Sequence, residues 1–357
     1  MDYYVTDFKV SEANAVALED SILKKGHPAT AGSKMLENFV APFDATVVDR
    51  LCNANIPIAG KTRMPEFGIG FAPRSLPLAH CCLCNDLFGQ YRRQAAENNL
   101  AYIHPTYGTV SRYGLIPLAS SMDQIGILCK NTAAGFSLLS VISGYDDKDG
   151  AMFPEKNYRY ENSDKELTLC VPSAPLNRAD ERTRNSIRDF SQRFQIIDDT
   201  LNYFDVYKQT MTILSCAEIS NNISRYDGVK FGYRSPDAVN LDKLYTRTRM
   251  EAFGLETKLA AIMGAVVLSS EQYVSYYEKA MKIRRLIKQS LCFDKYDLIV
   301  LPTAMGDDSY ENLSLYALAT LAGLPSVAFS YNGGGIQLIA NVRNENALFT
   351  AWEVSQR

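Results

Sequence analysis

Short apolar runs bounded by turn-forming residues recur along the chain, and three of them have the signature of a buried strand: IPIAG at 56–60, LTLCVP at 167–172 and YDLIVLP at 296–302. A helix-like stretch precedes each run. The clearest spans about 271–291, where Tyr273, Tyr276, Tyr277, Ala280, Ile283, Ile287 and Leu291 recur at helical spacing while Lys282, Arg285 and Lys288 turn outward. A second helix is predicted over about 178–204, beginning after Pro175 with its charges on one side. Helix followed by strand, repeated, predicts an α/β fold in which a mixed or parallel sheet is wrapped by helices on both faces. No internal repeat or low-complexity tract interrupts the pattern.

The chain has 357 residues, 46% of them hydrophobic and 22% charged, enough to bury a large core. No linker divides it, so a single domain over residues 1–357 is expected. A net charge of -3 with scattered Lys and Arg provides no basic stripe, which argues against direct nucleic-acid binding. The start, MDYYVTDFKVSEANAVALED, is acidic where a signal peptide needs cationic and then apolar residues, and no segment approaches eighteen uncharged apolar residues. A cytoplasmic protein with no membrane contact is therefore expected. The eight cysteines lack the spacing of a disulfide framework and sit mostly in apolar runs, as reduced buried thiols do.

Seven segments, in order, resemble the amidase signature family, most closely its amidotransferase branch. They are ATAGSKMLENFVAPFDATVV at 29–48, AGKTRMPEFG at 59–68, HPTYGTVSRYGLIPLASSMDQIG at 104–126, ISGYDDKDG at 142–150, SNNISRYDGVKFGYRS at 220–235, VVLSSEQYVSYYEKAMKIRRLIK at 266–288 and LAGLPSVAF at 321–329. The resemblance implies a mixed β-sheet between two layers of helices, here shortened relative to the family. It also implies amide hydrolysis by a serine nucleophile, a bridging serine on a cis peptide and a lysine. A hydroxyl attacks only once a base takes its proton, so all three are needed together.

This chain departs from that pattern. The family's V-x-V-K-D-N-I segment is matched by VALEDSI at 16–22, placing Glu19 at the lysine position. The nucleophile segment aligns with CNDLFGQYRRQAA, placing Gln90 at the serine position and Leu87, Phe88 and Gly89 at the oxyanion turn. Between Phe67 and Asp86 only GIGFAPRSLPLAHCCLCN stands where the bridging-serine loop belongs, and Ser75 is a poor substitute. Leu259 and Ala260 replace an arginine pair that anchors a substrate carboxylate, and SLYALATLAGLP at 314–325 is short and lacks an acidic residue expected there.

The resemblance with these departures implies a catalytically inactive homologue that binds or scaffolds. Its implied partners are amidotransferase-type subunits, a paralogue, or a small-molecule ligand in the vestigial cleft. The alternative is an amidase, or the amide-hydrolysing component of a glutamine-dependent amidotransferase, with a reorganised site.

Other chemistries compete with these. In a strand, His80, Cys82 and Cys84 share a face at roughly 6.5–7 Å spacing, whereas ligands of one zinc lie within roughly 4 Å of each other. His80 and Cys81 point to opposite faces, which weakens a Cys-His pair. No metal and no cofactor are expected. Lys61 is expected to make a structural ion pair or hydrogen bond, and Arg112 and Asp123 to give buried polar support. Glu19, Asp20 and Asp86 offer an acid-base cluster if the site was repurposed, against the plainer reading of capping or solvated carboxylates. Tyr91, Arg92 and Arg93 either fill the old cleft or leave it open.

Overall fold

In the computed structural model, which describes residues 3–10, 14–71, 80–163 and 165–356, the three apolar runs become strands of one sheet. Eleven strands join it among the described residues: β1 (Tyr4–Asp7), β2 (Val16–Glu19), β3 (Ile58–Thr62), β4 (Cys81–Asn85), β5 (Ala101–His104), β6 (Ile125–Cys129), β7 (Thr168–Cys170), β8 (Gln195–Ile197), β9 (Leu298–Pro302), β10 (Ser326–Tyr331) and β11 (Gly334–Ala340). Their order is β1-β3-β2-β4-β6-β5-β10-β11-β9-β7-β8. The ladders β2-β3, β2-β4, β7-β8 and β7-β9 are parallel and the rest antiparallel, so the sheet is mixed.

The helices are α1 (Thr46–Asn53), α2 (Gln90–Glu97), α3 (Thr132–Ile142), α4 (Ser173–Arg178), α5 (Glu181–Ser191), α6 (Tyr207–Ile223), α7 (Leu241–Ala252), α8 (Leu255–Val267), α9 (Lys279–Gln289), α10 (Ser309–Ala322) and α11 (Glu345–Ser355). Alternation along β9 shows how two helical layers follow from one continuous apolar run. Leu298 and Val300 enter the core shared with α1, α3, α5 and α11. Ile299 and Leu301 enter the core shared with α6, α8, α9 and α10. Each such side chain contributes about 1.5–3 kcal/mol on burial, and a strand clothed on both faces has no polar side to show.

Two expected helices differ from their predictions. The stretch over 178–204 is split into α4 and α5 and then a strand. Asp180 has extended backbone (ψ 162°) and its carboxylate accepts from the Thr183 amide at 2.9 Å, capping α5 and ending α4. Past Ser191, residues Gln195–Ile197 pair in parallel with β7, so a non-local ladder takes the backbone groups that a helix needs. The stretch over 271–291 opens with π-helical turns at Tyr273–Glu278 before α9 begins, and Tyr273 and Tyr276 are exposed rather than buried. The other apolar positions of that pattern do reach the core.

No helix among the described residues is long and apolar enough to cross a membrane. All eight cysteines are free thiols, most of them buried.

Candidate functional site

Strands β2 and β4 pair in parallel, Ala17 opposite Cys82 and Leu18 opposite Leu83, so their C-terminal ends emerge side by side. Glu19 ends one strand and Asn85 the other, with Asp86 immediately after. The chain then turns through Gly89, whose φ of 82° is left-handed. A Cβ at this position would stand 2.1 Å from the Tyr316 ring, so only glycine lets the turn nestle against α10. From there α2 starts with the buried Gln90. The fold thus brings Glu19, Gln90 and the turn Leu87-Phe88-Gly89 to one place. Leu259 and Ala260 stand on α8, the first exposed and the second in the core cluster that also takes in Leu87 and Phe88. Neither supplies a charge.

Glu19 is fully buried, and both its oxygens are held. Oε2 accepts from the Ser21 hydroxyl at 2.8 Å and the Asn85 amide at 3.0 Å, and Oε1 accepts from the Tyr91 hydroxyl at 3.1 Å. Asp20 belongs to a different set: it accepts from the Thr30 amide at 2.9 Å and faces the Lys61 ammonium at 3.0 Å, which also donates to the Pro28 carbonyl at 2.7 Å. Lys61 is the expected structural ion pair, fully buried, its pKa lowered by desolvation while Asp20 opposes the shift.

Asp86 forms a third set. Its carboxylate accepts from the Tyr91 and Arg92 amides at 2.8 and 3.0 Å, capping α2, and from Arg92 Nε at 3.0 Å. The Arg92 guanidinium also reaches the Asp86 carbonyl and Thr320 and lies 5.0 Å from the Tyr316 ring centroid. The three carboxylates therefore do not act as one acid-base cluster: each has its own donors.

Tyr91 and Arg92 are wholly buried, whereas Arg93 stays at the surface and pairs with Glu97 at 2.8 Å. Leu87 and Phe88 sink into the hydrophobic core, Phe88 edge-on to Phe71 at 6.2 Å. Gln90 offers a carboxamide, which has no proton to lose and no attacking oxygen comparable to a hydroxyl. Ser75 lies outside the described residues.

Asn85, which nothing in the sequence marks, joins two motifs. Its amide binds Glu19, and its side chain donates to Asp123 at 2.8 Å. Asp123 also accepts from the Leu118 and Ala119 amides, both at 2.9 Å, while complete burial pushes its carboxyl pKa up. Arg112 holds Asp149 through Nε and Nη2, at 2.9 and 2.6 Å. Both Arg112 and Asp123 thus brace loops, as expected. Glu66 is equally unmarked in the sequence: it accepts from Ser33 at 2.6 Å and the Gly254 amide at 2.7 Å, tying two loops together.

Cys82 and Cys84 alternate with Cys81 across β4 and meet Tyr91, Ala95 and Tyr102. Burial raises the Cys81 thiol to about 12 and the Cys84 thiol well above its ordinary value, which removes thiolate chemistry. No group of three or more His, Cys, Asp or Glu side chains arranged for a metal occurs among the described residues.

A cavity of about 530 Å³ opens past the end of β2, with none of Glu19, Leu87, Phe88 or Gln90 in its lining. Its wall is mostly apolar and aromatic, including Phe39, Phe43, Tyr113, Ile116, Tyr226 and Phe231. The Ile116 amide donates to the Ser21 carbonyl at 2.9 Å, which fixes the wall to the strand end that carries Glu19.

The family described as Amidase matches residues 15–76 and 78–309. The A-type component of glutamyl-tRNA(Gln) amidotransferase from Lachnoclostridium phytofermentans is 34% identical over 365 residues, covering 88% of this chain and 74% of its own. The protein of the same name from Trichodesmium erythraeum is 32% identical, over 94% of this chain and 82% of its own. The crystal structure of its namesake from Thermotoga maritima aligns with a TM-score of 0.77 at 25% identity, covering 98% of this chain and 86% of its own. The mixed sheet with its helices is thus an architecture this chain shares with solved relatives.

Proposed function

The chain belongs to the amidase family, and from that membership we propose that it is a pseudoenzyme, a member that keeps the family's framework for binding and has given up amide hydrolysis. The observation that carries this reading is the state of Glu19: at the position where the resemblance places a lysine, a buried carboxylate is held by Ser21, Asn85 and Tyr91. Gln90, at the serine position, supplies no nucleophile, and Leu87 and Phe88 are core residues. Amide cleavage by this route needs an attacking oxygen and a base beside it, and neither is present in that pair.

The relatives are named as subunits, which favours amidotransferase-type subunits or an active paralogue as the bound partner. The cavity walled by Phe39, Ile116 and Tyr226 favours a small, largely apolar ligand. The reading places the protein in the cytoplasm, without direct nucleic-acid contact.

The test is to incubate the pure protein with glutamine, asparagine and aryl amides and to measure ammonia or acid release. Rates equal to a blank are expected. Turnover that disappears in Gln90→Ala or Glu19→Ala overturns the reading in favour of an amidase or an amidotransferase component with reorganised chemistry. Co-purification from native cells separates a member of a complex from a free-standing ligand binder.

A further inference from the structure

One side of α9 borders an open surface cavity rather than the core. Met281, Arg284, Arg285 and Lys288 follow the i, i+3, i+4, i+7 spacing of a single helix stripe, and all four line a cavity of about 480 Å³. Across from them stand Phe153 and Val342, and no Asp or Glu contributes to the lining. A volume of this size holds a small metabolite rather than a bare ion.

The three cations differ in how they are answered. Arg284 is built in: Nε donates to the Leu321 carbonyl at 2.7 Å, and Nη1 and Nη2 donate to Ser121 Oγ and O at 2.9 and 3.0 Å. Glu218, which accepts from the Ser121 amide at 2.9 Å, offsets its charge. Arg285 and Lys288 are exposed and have neither an ion-pair nor a hydrogen-bond partner among the described residues. Lys282 on the same helix, off the cavity, does have one, in Glu278 at 3.4 Å. Attraction to the helix C-terminus accounts for Lys288 alone. It does not explain a second free cation one turn earlier, or a wall without carboxylates.

We propose that this cavity binds a small phosphorylated molecule. Arg285 and Lys288 hold the phosphate at the mouth, where a guanidinium matches two phosphate oxygens at once, and the carbon part lies against Met281, Phe153 and Val342. The site shares no lining residue with the cavity walled by Phe39, Ile116 and Tyr226, nor with Glu19 and Gln90, so it stands or falls separately from the proposed loss of amidase chemistry.

The experiment is calorimetric titration of the full chain with 1-naphthyl phosphate, inorganic phosphate and 1-naphthol. Saturable binding of one naphthyl phosphate is expected, at least tenfold tighter than either fragment and weakening as salt rises. Arg285→Ala with Lys288→Ala is expected to weaken it at least tenfold, and Lys282→Ala to leave it within twofold. Both mutated side chains are exposed, and an unchanged thermal midpoint verifies the fold. Absence of saturable binding, or a double variant within twofold of the parent, overturns the proposal. So does tight binding of mixed-sequence RNA at these residues with the small phosphates silent.

Discussion

At the tips of β2 and β4 the charged groups Glu19, Asp86 and Arg92 are matched donor to acceptor, with Thr62 Oγ1 on neighbouring β3 left over, whereas two strands away several buried polar atoms are unmatched among the described residues. Glu19, Asp86 and Arg92 have partners at 3.3 Å or closer. His104 on β5 and Ser326 on β10 are register partners and so share a face of the sheet. Yet neither His104 nitrogen, nor Ser326 Oγ, nor Oε1 of Gln124 or Gln337 has a hydrogen-bond partner among the described residues. Removing one member of a matched set strands the others, while removing a group that already lacks a partner relieves the native state. The end of the sheet that carries Glu19 is thus a structural joint, and His104 stands among polar atoms that lack such matching.

The sharpest way to break this contrast is Asp86→Ala, which uncaps α2 and leaves Arg92 as an uncompensated buried charge. A loss of about 3–5 kcal/mol is expected in urea unfolding. Glu19→Gln keeps the shape but turns two of its contacts from charged to neutral or repulsive, with an expected loss of about 1.5–3 kcal/mol. His104 works in the opposite direction. Burial, first, and the nearby Arg92 hold its pKa well below the ordinary value. The folded state keeps it neutral while the unfolded chain takes up a proton below about pH 6.5. Its effect is absent above that pH. Below it, stability falls by up to about 1.4 kcal/mol per pH unit until the depressed folded value is reached. His104→Leu should remove that part of the fall between pH 7.5 and 5.5 and match or exceed the parent at pH 7.5. The smallest effect is expected for Gln90→Ser, which restores a hydroxyl without a base: ammonia release should stay at the blank.

Much of the architecture was legible in the chain. The run YDLIVLP reads as a doubly buried strand because each of its central residues has a core to enter, and Lys61 reads as structural because the family resemblance gives the matching lysine a supporting place. What escaped was non-local. Gln195–Ile197 carries no local mark of a strand, since its partner is β7, more than twenty residues earlier. Asn85 and Tyr91 escaped because their importance lies in reaching Glu19 from segments distant in sequence. Asp86 had a readable signal, an acidic residue just ahead of a helix start, but its pairing with Arg92 depends on the tight turn at Gly89. Tyr273 and Tyr276 fit a helical stripe by spacing and are still exposed, because the π-helical turns shift which residues face inward.

The grip on Glu19 also sets what any exchange of that side chain has to overcome. Ser21, Asn85 and Tyr91 converge on one carboxylate, so a lysine placed there sets an ammonium against the Asn85 N–H, which can only donate, and leaves it two hydroxyl oxygens that must turn round to accept. A base at this position therefore calls for accompanying changes in the segments that carry Ser21, Asn85 and Tyr91, because a single exchange leaves their donors unanswered in a buried place.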